Sequence, residues 1–205
     1  MLVNKVFSRY YLSMNTNEIY NYVERINNLL RTDSRQKIAE HGLQPIQLEA
    51  LHYLSICNKY SNTPMAVTDY LGQTKGTVSQ TLKVLERKNY LSKHSDKNDK
   101  RISHLKLTSL GHKLINESIP TPKFTRACEE LPKDIQAEVV SALNHLLLSF
   151  LHSNDMKSFG VCSSCRHHQE DKPNQYSCGL VQEPLSACER QQICREHEII
   201  EAEVK

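Results

Sequence analysis

Five of the seven cysteines in this 205-residue chain fall between residues 162 and 194, and their spacing suits metal chemistry. Cys162 and Cys165 form a C-x2-C knuckle, a tight turn that lets two thiolates reach one ion. Cys178 follows, directly before Gly179, and a fourth ligand has to come from Cys188 or Cys194. Ser186 and Glu189 have capping-box spacing, so a helix is expected to start there and to carry both remaining cysteines. Six residues on a helix turn through about 240°, so only one of the two can face the ion. Four thiolates suit tetrahedral Zn2+ or an iron–sulfur cluster, and the spacing matches neither common ferredoxin pattern, which favours zinc. His167, His168 and His197 are further candidate ligands, although loop histidines are more often solvated. Cys57 and Cys128 stand apart and read as small buried hydrophobes.

A second set of residues is suited to phosphate and base edges. The net charge is only +3, but from Lys83 to Lys106 eight Lys or Arg stand against three Asp or Glu. From Met156 to Lys205 the balance reverses, with six basic and eight acidic residues. Only the first stretch is built to meet a polyanion. Thr74, Lys75, Thr77, Ser79, Gln80 and Lys83 occupy the polar side of a segment whose other side holds Val78 and Leu82. Gln80 can pair bidentately with adenine, and Lys75 or Lys83 suits guanine or a phosphate. Lys97, Asp99, Lys100 and Arg101 crowd a short polar tip further on, where the lysines add charge for phosphate.

These residues need elements to hold them. Residues 1–14, with Tyr10 and Tyr11, read as an N-terminal arm, and Asn15 with Glu18 resembles the capping box of a helix that stops at Gly42. Ile19, Tyr22, Val23, Ile26, Leu29 and Leu30 give that helix an apolar face better suited to a second chain than to a core of its own. A helix starting at Pro45 buries Leu48, Leu51, Tyr53 and Leu54, and a short one ends near Gly72. Thr74 then caps an amphipathic helix with Val78, Leu82 and Leu85 inside. Two short helices joined by a tight turn make a helix-turn-helix. A β-hairpin follows, with Ile102, Leu105 and Leu107 alternating, then a helix from Gly111 that Pro120 and Pro122 interrupt. The last strong helix runs from about Pro132 to His152, with Ile135, Val139, Leu143, Leu146, Leu147, Phe150 and Leu151 on one wide face.

The segment TVSQTLKVLERKNYL, the wing SDKNDKRISHLKLTSLG and the helix order around them resemble the MarR family of winged-helix transcription regulators. The most specific part is Asp96, Asp99 and Arg101 followed by Leu-x-Leu-Thr-x-x-Gly, and the resemblance covers roughly residues 15–153. It implies a mainly α fold with a small β-hairpin wing, dimeric through intertwined terminal helices, with recognition helices in successive major grooves of double-stranded DNA. It also implies that Asp99 orients Arg101 toward the minor groove. Such dimers often hold a small aromatic ligand between dimer helices and DNA heads; Tyr10, Tyr11 and His52 are candidates, with core packing the commoner use. The proline-broken helix after Gly111 is shorter than usual for the family. A looser resemblance to cysteine-bearing tails of other MarR-like proteins favours Cys194 over Cys188.

The expected organisation is thus an arm at 1–14, a winged helix and dimerisation unit at 15–155, and a small metal-stabilised module at 156–205. The expected function is sequence-specific transcription regulation, as a repressor, responsive to metal, redox state or a small ligand. An adaptor that uses its metal to bind other proteins is the alternative, against which the intact basic wing counts. An enzyme is not expected: His168-x-Glu170 beside C-x-x-C has the inverted order of a zinc deaminase, and four thiolates leave no open position for substrate. No apolar run is long enough to span a membrane and the N-terminus is a poor signal peptide, so a cytoplasmic protein with reduced thiols is expected.

Overall fold

The computed structural model describes the backbone of residues 3–97 and 99–200, and within that range the side chains from residue 15 onward except that of residue 36. In chain order the elements are α1 (Val3–Glu40), α2 (Pro45–Ile56), α3 (Pro64–Leu71), α4 (Lys75–Arg87), β1 (Leu91–Ser95) and β2 (Ser103–Leu107). Then come α5 (Ser109–Ser118), α6 (Pro122–Glu129), α7 (Lys133–Ser153), β3 (His168–Lys172), β4 (Gln175–Cys178) and β5 (Glu183–Leu185). Single 3-10 turns sit at Cys162–Ser164 and Glu189–Gln191. The fold is mainly helical with two small antiparallel sheets, as expected for a winged helix up to α7.

Helical periodicity locates the core. Leu48, Leu51, Tyr53 and Leu54 of α2 pack with Val78, Leu82 and Leu85 of α4, Leu91 and Leu105 of the hairpin, and Leu114 and Ile115 of α5. Pro45 and Pro64 occupy the first turns of α2 and α3, where a missing N–H costs nothing. Gly72 ends α3 in the left-handed conformation (φ 59°), a backbone state that other residues enter only with strain. Thr74 Oγ1 accepts the Thr77 N–H at 3.2 Å and starts α4 where the sequence placed its cap. The hairpin aligns Leu91 with Leu107 and Ser95 with Ser103. Ile102 breaks the expected alternation. It precedes β2 and is exposed, its N–H bonded to Asp99 and its carbonyl to Asp96 within the turn.

Two expectations need correcting. The first helix does not start at Asn15, since α1 is helical from Val3, and Asn15 and Glu18 are interior positions rather than a capping box. Neither Gly nor Pro occurs before Gly42 to interrupt it. Residues 3–14 of the expected arm therefore extend α1, while the side chains of Tyr10 and Tyr11 lie outside those described. The second correction concerns residues 186–194. The capping box is made, with Ser186 N–H to Glu189 Oε2 at 2.8 Å and Glu189 N–H to Ser186 Oγ at 3.2 Å. Only one 3-10 turn follows, so Cys188 and Cys194 do not share a helix. Ile193 is instead drawn into bridges with Cys57 and Val161, and the backbone around it bonds to Ile56, Asn58 and Gly160.

Those bridges attach the C-terminal segment to the winged helix. Ile193 N–H donates to the Ile56 carbonyl (3.0 Å) and Asn58 N–H to the Ile193 carbonyl (2.9 Å). Phe159 is buried in the same core, edge-on to Tyr53 and Tyr70 at 5.9 and 5.2 Å between ring centroids. At the other extreme, α7 buries no residue, and Val140 and Phe150 are 68% and 62% exposed. Ile19, Tyr22, Val23, Ile26 and Leu29 of α1 are exposed as well. Apolar surface on this scale marks an interaction face.

Candidate nucleic-acid interface

α4 turns its predicted polar residues outward. Thr74, Lys75, Thr77, Ser79, Gln80 and Lys83 are all exposed, while Val78 and Leu82 on the opposite side are each 1% exposed. Thr77 is held by a hydroxyl–hydroxyl hydrogen bond to Thr74 (3.0 Å), which fixes the first turn of the helix. Not every cation of the basic stretch is available. Lys88 Nζ donates to the carbonyls of His41 (3.1 Å) and Gly42 (2.7 Å), closing the C-terminus of α1.

The wing tip is organised by two aspartates. Asp96 Oδ1 accepts the Asp99 N–H at 2.9 Å. Asp99 Oδ1 accepts both the backbone N–H and Nε of Arg101, and Oδ2 accepts Nη2, each at 3.0 Å. The hydrogen bonds from Arg101 hold the Asp99 carboxyl below the usual carboxylate range. The Arg101 side chain is 91% exposed, a forked cation held away from the hairpin, with Lys97 and Lys100 exposed beside it. The expected Asp99–Arg101 arrangement is therefore present. His104 escaped the sequence reading. Its Nε2 lies 3.0 Å from Asp96 Oδ2 and its Nδ1 bonds the Asn62 side chain, so it couples the wing to the loop before α3. A single His on a polar strand gives no signal of that role.

Away from this face, Cys162, Cys165, Cys178 and Cys194 line one small cavity of about 30 Å³, together with Asn58, Tyr60 and His167. Cys188 is exposed and does not line it. Burial, and after it the neighbouring sulfurs of Cys178, Cys194 and Cys165, push the Cys162 thiol up to about 11. Ser61 Oγ donates to Cys194 Sγ (3.7 Å) and the Glu198 N–H to Cys165 Sγ (3.5 Å). Among the described residues, no group of three or more His, Cys, Asp or Glu stands at metal-binding spacing. His197 has both ring nitrogens engaged, by Ser158 at 2.6 Å and Ser164 at 3.1 Å. His168 lies against the Tyr176 ring. Cys57 is buried as expected, its thiol pushed up to about 12 by burial, and Cys128 is half-buried.

An apolar groove of about 500 Å³ lies between α1 and α6, with Ile26, Leu29 and Phe124 in its walls. His52 does not line it; it is half-buried on α2, where burial lowers its pKa. Among the described residues no helix is long and apolar enough to cross a membrane.

Residues 41–102 match the model of the MarR family. Solved structures resemble about two thirds of the chain. The DNA complex of S. aureus MepR is 26% identical, with 63% of this chain and 97% of that chain covered at a TM-score of 0.52. A MepR mutant from a multidrug-resistant S. aureus clinical isolate is 25% identical, covering 64% and 96% at a TM-score of 0.53. A MarR transcriptional regulator from Methanosarcina mazei Go1 shares the fold at 20% identity, 65% and 96% coverage and a TM-score of 0.56.

Proposed function

We propose that this chain, whose residues 41–102 match the model of the MarR family, is a sequence-specific, non-enzymatic regulator of transcription that binds double-stranded DNA as a homodimer and acts as a repressor. The observation that carries the reading is the wing: an almost fully exposed Arg101 held by Asp99 beside a recognition helix whose outward side chains are all polar. A guanidinium on a hairpin tip suits the narrow minor groove, and Gln80, Lys75 and Lys83 suit base edges and phosphates of the major groove. MepR, which is similar over 63% of this chain, has been seen on DNA.

The dimer is supported by the apolar faces of α1 and α7, which this chain alone leaves in water. Burying them in a second copy places two recognition helices on one duplex, and a repressor needs no more than that to occlude a promoter. The α1–α6 groove offers room for an apolar effector beside that dimer face.

Sedimentation and fluorescence anisotropy test the proposal together. The expected result is a dimer that binds random duplex DNA with a steep salt dependence and one operator much more tightly. A monomer, or affinity that ignores salt, overturns it.

A further inference from the structure

The geometry points to a zinc site built by Cys162, Cys165, Cys178 and Cys194, one ion per chain, which clasps the C-terminal segment onto the helix-turn-helix. Four thiols from three places in the segment line a single cavity, while the fifth cysteine, Cys188, stands outside it in solvent. Chance burial of small hydrophobes does not sort thiols in this way. Neither common ferredoxin spacing is present in the cysteine pattern, which favours a single ion over a cluster of iron and sulfide. Soft thiolates in a closed tetrahedral set are the ligands of structural zinc.

The surroundings supply what a tetrathiolate needs. Zinc binding displaces the four thiol protons and leaves a doubly negative site, which requires hydrogen-bond donors. The Glu198 N–H already points to Cys165 Sγ and the Ser61 hydroxyl to Cys194 Sγ. Asn58, 2% exposed and part of the cavity wall, has a buried Nδ2 without a partner among the described residues. A thiolate at the cavity relieves that otherwise costly orphan donor. The sulfurs do not yet stand at metal-binding spacing. Each cysteine swings on a single side-chain torsion, and the proposal requires that rotation about those bonds closes the set onto an ion.

The segment has a physical need for such a clasp. Among the described residues beyond α7 the buried apolar side chains other than cysteine are Phe159 and Leu185, too few to hold the segment together alone. The clasp also reaches the winged helix. Cys194 lies between Ile193, bonded to Ile56 and Asn58, and Arg195, whose N–H donates to Ser61 Oγ at 2.8 Å and whose guanidinium meets Asp69 of α3. An ion that fixes Cys194 therefore fixes the loop before α3 as well.

The experiment uses the full chain purified without oxygen, with elemental analysis, an absorption spectrum and cobalt(II) loaded in place of zinc. Single Cys→Ser variants at 162, 165, 178, 188 and 194 are measured alongside, and hydrogen exchange follows residues 56–72 before and after chelation. The expected result is about one zinc per chain in the wild type and in Cys188→Ser, a colourless zinc form, and a cobalt form with intense sulfur charge-transfer and tetrahedral ligand-field bands. Loss of metal in each of the other four variants, and faster exchange at 56–72 once zinc is removed, complete it. Iron and sulfide in place of zinc, loss of zinc in Cys188→Ser, or retention of zinc in Cys178→Ser or Cys194→Ser overturns the assignment. A wild-type chain that takes up neither zinc nor cobalt does so without reliance on any variant. DNA binding enters none of these measurements.

Discussion

Arg195, near the C-terminal end of the described chain, places two guanidinium nitrogens on one carboxylate oxygen of Asp69 in α3, Nε at 2.7 Å and Nη2 at 2.6 Å. Both side chains are 28% exposed, so water screens the pair only in part. The first helix of the helix-turn-helix is thereby held from outside the winged helix itself. Replacing Arg195 by Ala is expected to lower stability by about 1 kcal/mol, and a double-mutant cycle with Asp69→Asn isolates the pair. Urea unfolding of the four proteins checks it; additive effects would mean that the two residues act independently.

At the wing, Arg101→Ala is expected to weaken binding to specific and random duplexes alike and to reduce the salt slope by about one. Asp99→Ala is the companion variant: it frees the guanidinium from its two hydrogen bonds, and the Arg101 backbone N–H from a third, without removing the cation. It should keep the salt slope and lose part of the affinity. Anisotropy titrations across a salt series separate the two, and an unchanged Arg101→Ala titration would take the residue off the DNA surface.

Gln80 is exposed on the outer side of α4, in the same turn as Thr77 and Ser79. Its replacement by Ala is expected to relax the preference at one base pair per half-site, at a cost of about 1–3 kcal/mol on the preferred sequence. Binding to a library of single-base operator variants reads this out. A uniform loss over the whole library would make Gln80 a backbone contact.

Gly111 closes the wing motif for a steric reason. A Cβ there would fall on the carbonyl oxygen of Tyr90, far inside contact distance, with the Leu107 side chain 3.4 Å away. That carbonyl also accepts the Thr108 N–H at 3.1 Å, so it cannot move without loosening the junction of hairpin and α5. Gly111→Ala is expected to destabilise the fold by about 1–3 kcal/mol, visible as a lower thermal midpoint with native-like circular dichroism below it.

Sequence reading recovered what periodicity and capping encode. Val78, Leu82 and Leu85 recur on a helical face, and Thr74 and Gly72 are residue types that helix ends select for stated physical reasons. The four cysteines lining one cavity were legible too, because thiols are rare enough for their spacing to carry information. The route to Cys194 was not the one expected, since a capping box fixes where a turn starts but not how long it lasts. Strands β3 to β5 left no trace: HQEDK is polar throughout, and its burial does not alternate. The docking of Ile193 between Ile56 and Asn58 is made by backbone groups, which every residue owns, so no side-chain pattern announces it.

The Asp69–Arg195 contact spans 126 residues of sequence, and that separation sets an order of events on the ribosome. Synthesis at about 5–20 residues per second puts roughly 6–25 s between the appearance of the two partners. During that interval the nascent winged helix has its own core but lacks Phe159 against Tyr53 and Tyr70 and the backbone bridge of Ile193 beside Ile56. A DNA-reading head therefore exists before its anchor, and receives its final support only when the last part of the described chain has been made.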